Sequence, residues 1–155
     1  MQKITLLCVG SLKTPWVREG IATYRDRLSR GASFELLELA ASKRKDSEGQ
    51  VREESDAVLK ILSRREGIVW LLDERGEEWT SGELAQELGK LRDLGTPLTL
   101  IIGGAYGVSN VVRDRSDCLV SLSRLTLAHE FVRILVLEQL YRASEIQRGS
   151  GYHHA

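Results

Sequence analysis

The chain has 155 residues, 42% of them hydrophobic and 28% charged, ordinary globular usage that excludes a disordered or fibrous chain and suits one domain over residues 1–155. Its 22 Lys and Arg balance 22 Asp and Glu, which argues against coating nucleic acid by bulk charge but leaves a local basic site open. The longest apolar runs, such as Ile68–Leu72 and Leu98–Ile102, fall far short of the ~20 residues that span a bilayer, so no membrane partner is expected. The opening Met1–Thr5 lacks the charged start and apolar middle of a signal peptide, and a cytoplasmic protein is expected. Cys8 and Cys118 form no C-x-x-C pair and read as two buried thiols in a reducing compartment. No metal is expected. His129 stands far from His153 and His154, and adjacent histidines do not readily aim at one ion.

In chain order, Lys3–Val9 reads as a first strand ending at Gly10. Thr14 is placed to cap a helix with Pro15 in its first turn, and Val17, Ile21, Tyr24 and Leu28 recur at helical spacing. Phe34–Leu39 is a second strand, and Ala40–Asp46 a basic loop. Ser47 and Gln50 have capping-box spacing ahead of a helix to about Arg64. Ile68–Leu72 is almost wholly apolar, as a central parallel strand is. Thr80 and Glu83 repeat the capping box; Leu84, Leu88 and Leu91 follow, and Gly95 ends that helix. Leu98–Ile102 and Cys118–Leu122 are the fourth and fifth strands, with Ser109 a helix cap between them, and a last helix runs from His129 to about Gln147. This alternation predicts an α/β chain with a mostly parallel sheet flanked by helices. Ligands of such sheets lie beyond the carboxyl ends of the strands, here after Leu72, Ile102 and Leu122.

Three segments stand out. Gly103-Gly104-x-x-Gly107 follows a strand directly; its glycines permit positive φ and close approach of a ligand to the backbone. It lacks the dinucleotide and P-loop fingerprints, and alone it suits a tight turn as well as a ligand cradle. Ser121–Leu127 leaves a strand with alternating apolar residues. Its backbone suits wrapping a flat ligand with the leucines inward, while by itself the alternation favours a strand that runs on. In Phe131–Leu137 only Arg133 is polar, so the last helix is apolar nearly all round and needs cover. In a chain this small, a second copy is the expected cover.

Val9-Gly10-Ser11-Leu12-Lys13, Ile101-Ile102-Gly103-Gly104 with Gly107, Ser121-Leu122-Ser123 through Leu125-Thr126, His129, Arg133, Glu138-Gln139-x-Tyr141-Arg142-Ala143 and Tyr152-His153 occur in this order. Together they resemble the ribosomal large-subunit RNA methyltransferase H family, small SPOUT-class enzymes that methylate N3 of a pseudouridine in 23S rRNA. The resemblance covers essentially the whole chain. It implies a carboxyl-terminal trefoil knot, an obligate homodimer, S-adenosyl-L-methionine held in the knot, and a stem-loop of the assembled ribosome as substrate. By position, cofactor contacts fall on Leu72, Gly103, Leu122, Ser123, Arg124, Leu125, Thr126 and Leu127. Two positions depart from the family: Ala128 stands where many members have proline, and His154 where members usually have Arg or Lys.

The tail carries an aromatic ring and imidazoles, good partners for stacking on an unpaired base and gripping its backbone. Tyr152, His153 and Arg142 are therefore expected to form the catalytic group, reaching a cofactor held by the other subunit. A frayed terminus is the plain alternative. Lys13 and Lys43-Arg44-Lys45 read by default as solvated loop charges. A non-catalytic RNA- or nucleotide-binding dimer is the rival reading. A nucleotide-dependent oxidoreductase is disfavoured by the missing ribose acid.

Overall fold

Apolar residues on both faces of a strand require cover on both sides, and the elements supply it. The computed structural model describes residues 1–154; Ala155, the last residue of the expected domain, lies outside the described residues. The elements are β1 (Gln2–Val9), α1 (Pro15–Leu28), β2 (Ala32–Leu39), α2 (Ser47–Leu62), β3 (Ile68–Glu78), α3 (Ser81–Asp93), β4 (Leu98–Ile102), α4 (Asn110–Arg115), β5 (Cys118–Ser121) and α5 (His129–Gln147). The five strands form one sheet in the order β2-β1-β4-β3-β5, and every neighbouring pair is parallel.

Side chains alternate across the sheet with the period of two that strands impose. Ile4, Leu6, Cys8, Trp70, Leu98, Leu100, Ile102 and Val120 share one core with Val17 and Ile21 of α1, Leu88 of α3 and Leu137 and Leu140 of α5. Leu7, Val9, Val69, Leu71 and Ile101 form the other core with Val58 and Leu62 of α2 and Val112 of α4. The three-helix face therefore contains α5, which lies between α1 and α3. Much of its apolar surface is covered within the chain itself. What stays open is an edge where Phe131, 43% exposed, meets Trp16, 55% exposed, ring edge to ring face at 5.8 Å. No helix among the described residues is long and apolar enough to cross a membrane.

Several local expectations shift. Asp46, not Ser47, caps α2 by accepting from the Gly49 amide at 2.8 Å, while Gln50 reaches back to the Arg44 carbonyl at 2.6 Å. The preceding carboxylate wins because its reach to the third amide matches the helix start. Thr14 stands at the N-cap of α1 with Pro15 next, but its hydroxyl bonds Glu130 of α5 and makes no cap. The Thr80 and Glu83 box forms as the spacing predicts, and Ser109 caps α4. Cys8 is buried, whereas Cys118 is only half-buried. Burial pushes the Cys8 thiol up to about 12, so it stays protonated and inert.

The largest departure is in β3, which continues past Leu72 to Glu78. Leu72 and Glu77 both align with Val120 of β5, so residues 73–76 bulge out of the ladder. The polar run from Asp73 to Glu78 lacks the apolar signal of a strand, and only pairing with β5 reveals it as one. In the other direction, β5 stops at Ser121. The alternation beyond it does not continue the strand. Ser121 Oγ donates to the Ser123 carbonyl at 3.1 Å, and Ser123 Oγ accepts from the Leu125 amide at 2.9 Å, which turns the chain.

Candidate active site

The bulge of β3 and the carboxyl ends of β4 and β5 open into a cleft of about 570 Å³. Its walls come from three segments that are remote in sequence. The β3 bulge brings Leu72, Asp73, Glu74 and Arg75; the turn after β4 brings Gly103 to Val108; and the chain after β5 brings Leu122, Ser123, Leu125, Thr126 and Leu127. His129 and Val132, at the start of α5, close the back. Of the residues expected to contact a cofactor, Leu72, Gly103, Leu122, Ser123, Leu125, Thr126 and Leu127 meet here. Arg124 does not line the cleft: it turns outward, with Nε 3.7 Å from Glu78. Nor do the leucines all face inward, since Leu125 is 74% exposed.

The glycine loop meets two different demands. Gly107 has φ +78°, a left-handed conformation that a side chain disfavours, and its amide donates to the Gly104 carbonyl at 3.0 Å to close the turn. Gly103 is not at positive φ, so of the two properties expected of these glycines, positive φ and close approach to the backbone, the first is used at Gly107 and not here. Its constraint is space, for a Cβ there would lie 3.0 Å from Val108 Cγ1 and 3.3 Å from the Gly107 carbonyl carbon. The His129 ring anchors this loop, its Nε2 lying 3.0 Å from the Gly103 carbonyl.

The rim is charged, which the sequence reading missed. Asp73 accepts from the Arg75 amide at 2.9 Å and from Arg113 Nε at 3.0 Å. Burial opposes its ionisation, but the Arg75 amide and the guanidinium groups of Arg75 and Arg113 prevail and bring its carboxyl down to about 2. A second depressed carboxylate, Glu130, ties α5 to α1. It accepts from the Thr14 hydroxyl and from the Lys13 and Thr14 amides, at 2.5 and 3.2 Å for the amides, and lies at about 2 for those reasons. Both carboxyls have folded values below their unfolded ones, so the stability they contribute is present above roughly pH 4 and drains as pH falls toward about 2. The melting temperature should drop across that window. Glu130→Gln should be less stable at pH 7 and lose less than the wild type on acidification; an unchanged slope would refute the assignment.

Arg142, Tyr152 and His153 do come together, but away from the cleft. Arg142 donates to Glu138 Oε1 through Nε at 3.0 Å and a terminal nitrogen at 2.6 Å, and to His153 Nδ1 at 3.2 Å. The Tyr152 hydroxyl donates to the same Glu138 oxygen at 3.1 Å. Its ring lies under the Arg142 guanidinium at 4.8 Å and edge-on to Tyr141 at 4.9 Å. Burial, then the hydrogen bond to Glu138, pushes the Tyr152 phenol up to about 12, so at neutral pH it donates and does not act as a base. The tail is thus folded back on its own helix. None of the three residues lines the cleft. Arg142 lies ten residues beyond Val132 on α5, roughly 15 Å along the helix axis.

Arg133, a polar interruption of the apolar run and one of the residues that carry the family resemblance, is wholly buried. It donates to Glu38 at 2.9 Å and to the carbonyls of Val9 and Gly10 at 3.3 and 2.5 Å. With His129 on Gly103, it fastens α5 to the tips of both β1 and β4. Nothing in the local pattern points to these long-range partners.

Comparisons with known proteins agree with this architecture. Residues 2–153 match the family described as "Predicted SPOUT methyltransferase". The chain is 40% identical over 154 residues to a ribosomal RNA large subunit methyltransferase H of Geobacter metallireducens, covering 99% of each chain. It is 43% identical over 153 residues to the protein of the same name from Geotalea daltonii, covering 98% of this chain and 99% of that one. Among solved structures, a probable methylase family protein from Haemophilus influenzae Rd KW20 shares the fold with a TM-score of 0.59 at 13% identity, over 98% of this chain and 70% of that one. Sequence and fold thus place the chain in the ribosomal RNA large subunit methyltransferase H family of SPOUT methyltransferases.

Proposed function

We propose that the protein is an S-adenosyl-L-methionine-dependent methyltransferase that acts, as a cytoplasmic homodimer, on N3 of a pseudouridine in 23S rRNA of the assembled ribosome. The cleft carries this reading. It is built from the bulge of β3 and the backbone after β4 and β5, and it has the size of a small-molecule site, roughly 300–1,000 Å³. The residues fit the cofactor. Leu72 and Leu127 offer apolar walls to an adenine, and Gly103 leaves the backbone bare where a Cβ has no room. When bound, S-adenosylmethionine supplies a methyl group on a cationic sulfur.

The chain's own residues then have separable tasks. His129 holds the Gly103 carbonyl and so fixes the loop. Arg142 and the protonated Tyr152, once exchanged from Glu138 to the substrate, would offer positive charge and an O–H donor, which suit stabilising a uracil-type ring as N3 loses its proton. Because this group lies away from its own cleft, we assign it to the cleft of a second copy. The open Trp16 and Phe131 edge supports such a dimer. The threading of a trefoil knot belongs to the same reading and rests on membership of the SPOUT methyltransferase family.

Two measurements test the function. Calorimetry should detect S-adenosylmethionine binding, which a pure RNA-binding module has no reason to show. Mass spectrometry of rRNA from a strain lacking the gene should show one methyl group missing from a 23S pseudouridine, restored by the wild-type gene. With zero net charge, the footprint must be completed by ribosome shape. Equal turnover on an isolated stem-loop and on ribosomes would refute the assembled substrate.

The dimer has its own test. Ile134 leans on α1 beside Gly20, whereas Leu135 opens into a smaller cavity of about 280 Å³ lined by Trp70, Trp79 and Leu140. Asp at either position should bury an unpaired charge, at a cost of several kcal/mol, and the dimer or the fold should be lost. The wild type should sediment at twice 17.4 kDa at micromolar concentration; a 17.4 kDa species would end the dimer proposal.

A further inference from the structure

Two arginines line the cleft, Arg75 and Arg113, and they are not equivalent. Arg75 directs its guanidinium at Asp73, at 3.3 and 3.5 Å. Arg113 uses Nε on Asp73 at 3.0 Å and one terminal nitrogen on Asn110 Oδ1 at 3.1 Å. Its other terminal nitrogen has no hydrogen-bond partner among the described residues. That nitrogen lies beside the glycine turn, 3.8 Å from the place a Cβ on Gly107 would occupy. The side chain is only 24% exposed. Two anchors therefore fix the plane of a planar fork, and its free edge is left at the cleft. Asp73 with Arg75 and Arg113 carries one net positive charge, which Glu74, also lining the cleft, balances, so what marks the place is the unpaired N–H edge of Arg113 and not bulk charge.

We propose that the free edge of Arg113 is a carboxylate subsite, and that it takes the α-carboxylate of the methionine part of S-adenosylmethionine. The proposal rests on the cofactor reading above and adds the ligand's orientation to it. The carboxylate is the only anionic group of that ligand; its sulfur and amino group are cationic. A charge-assisted N–H to carboxylate bond is stronger than a neutral one, and here the donor is already oriented, so little side-chain freedom is lost on binding. Leu72 and Leu127 offer the apolar surface that suits the base, so the cleft is apolar where adenine needs it and presents a free guanidinium N–H where the carboxylate needs it. Asp73 and Asn110 are positioning residues: they touch the guanidinium and fix its plane.

The test edits the ligand before it edits the protein. Calorimetry on the wild type would compare S-adenosylmethionine, its decarboxylated form, and 5′-methylthioadenosine, which lacks the amino-acid end. Losing the carboxylate should weaken binding roughly tenfold to a hundredfold, as expected for a hydrogen bond to a charged group. Arg113→Met should show a similar loss for S-adenosylmethionine and bind 5′-methylthioadenosine as the wild type does, which also reports that the pocket is folded. Equal wild-type affinity for the decarboxylated compound would overturn the subsite, with no dependence on how any variant folds. So would an equal loss by Arg113→Met of both S-adenosylmethionine and 5′-methylthioadenosine. If the wild type binds neither, the cofactor reading itself fails, and the subsite with it.

Discussion

Gly103→Val should abolish S-adenosylmethionine binding while leaving a folded protein of unchanged oligomeric state. The reason is local and steric. A Cβ at Gly103 already falls 3.0 Å from Val108 Cγ1 and 3.3 Å from the Gly107 carbonyl carbon, and valine adds two methyl groups beyond it. The turn must shift, and it carries the cleft wall with it. Overpacking of this kind costs about 1–3 kcal/mol, which a domain with a stability of roughly 5–15 kcal/mol survives. Binding should fall at least a hundredfold, or about 2.7 kcal/mol. Calorimetry reads the affinity, and circular dichroism with sedimentation reads the fold. Unchanged affinity would place the cofactor somewhere else.

Truncation after Ser150 should leave dimerisation and cofactor binding intact and reduce methylation of ribosomes by roughly a hundredfold to a thousandfold, the usual cost of removing a preorganised charge-stabilising group. The truncation removes the Tyr152 hydroxyl bonded to Glu138 and the His153 ring bonded to Arg142. Neither lines the cleft of its own chain, and toward the second copy the tail is assigned to the substrate ring and not to the cofactor, so affinity should not move. Mixing the truncated chain with the Gly103→Val chain gives the decisive result. Each parent is inactive for a different reason. A heterodimer joins the intact cleft of the truncated chain to the intact tail of the other, and one working site should return. Demonstrated heterodimers without activity would refute the arrangement across subunits, leaving a tail that serves its own chain or serves nothing.

The pattern of residues settled what depends on near neighbours. An unbroken apolar run marks Leu98–Ile102 as a central strand, and β4 spans those same residues. Thr80 and Glu83 stand at capping-box spacing, and both hydrogen bonds form. The rule that ligands sit beyond the carboxyl ends of strands points to the segments after Leu72, Ile102 and Leu122, and all three line one cleft, although β3 does not end at Leu72 but bulges there and runs on to Glu78. Tertiary structure decided what depends on partners far away in the chain. Asp73 acquires its cleft-side role only because β3 slips register against β5 and bulges, and its partner Arg113 lies 40 residues later. Glu130 looks like an ordinary first-turn acid, yet it clamps the start of α1 more than a hundred residues upstream. Arg124 stands among residues that line the cleft and still points away, because the turn after Ser121 breaks the alternation that would have aimed it. Strand and helix periods are set by backbone geometry, so they are written locally. Register, bulges and ion pairs across the sheet follow from how separate segments pack, and that is fixed only when the chain has closed on itself.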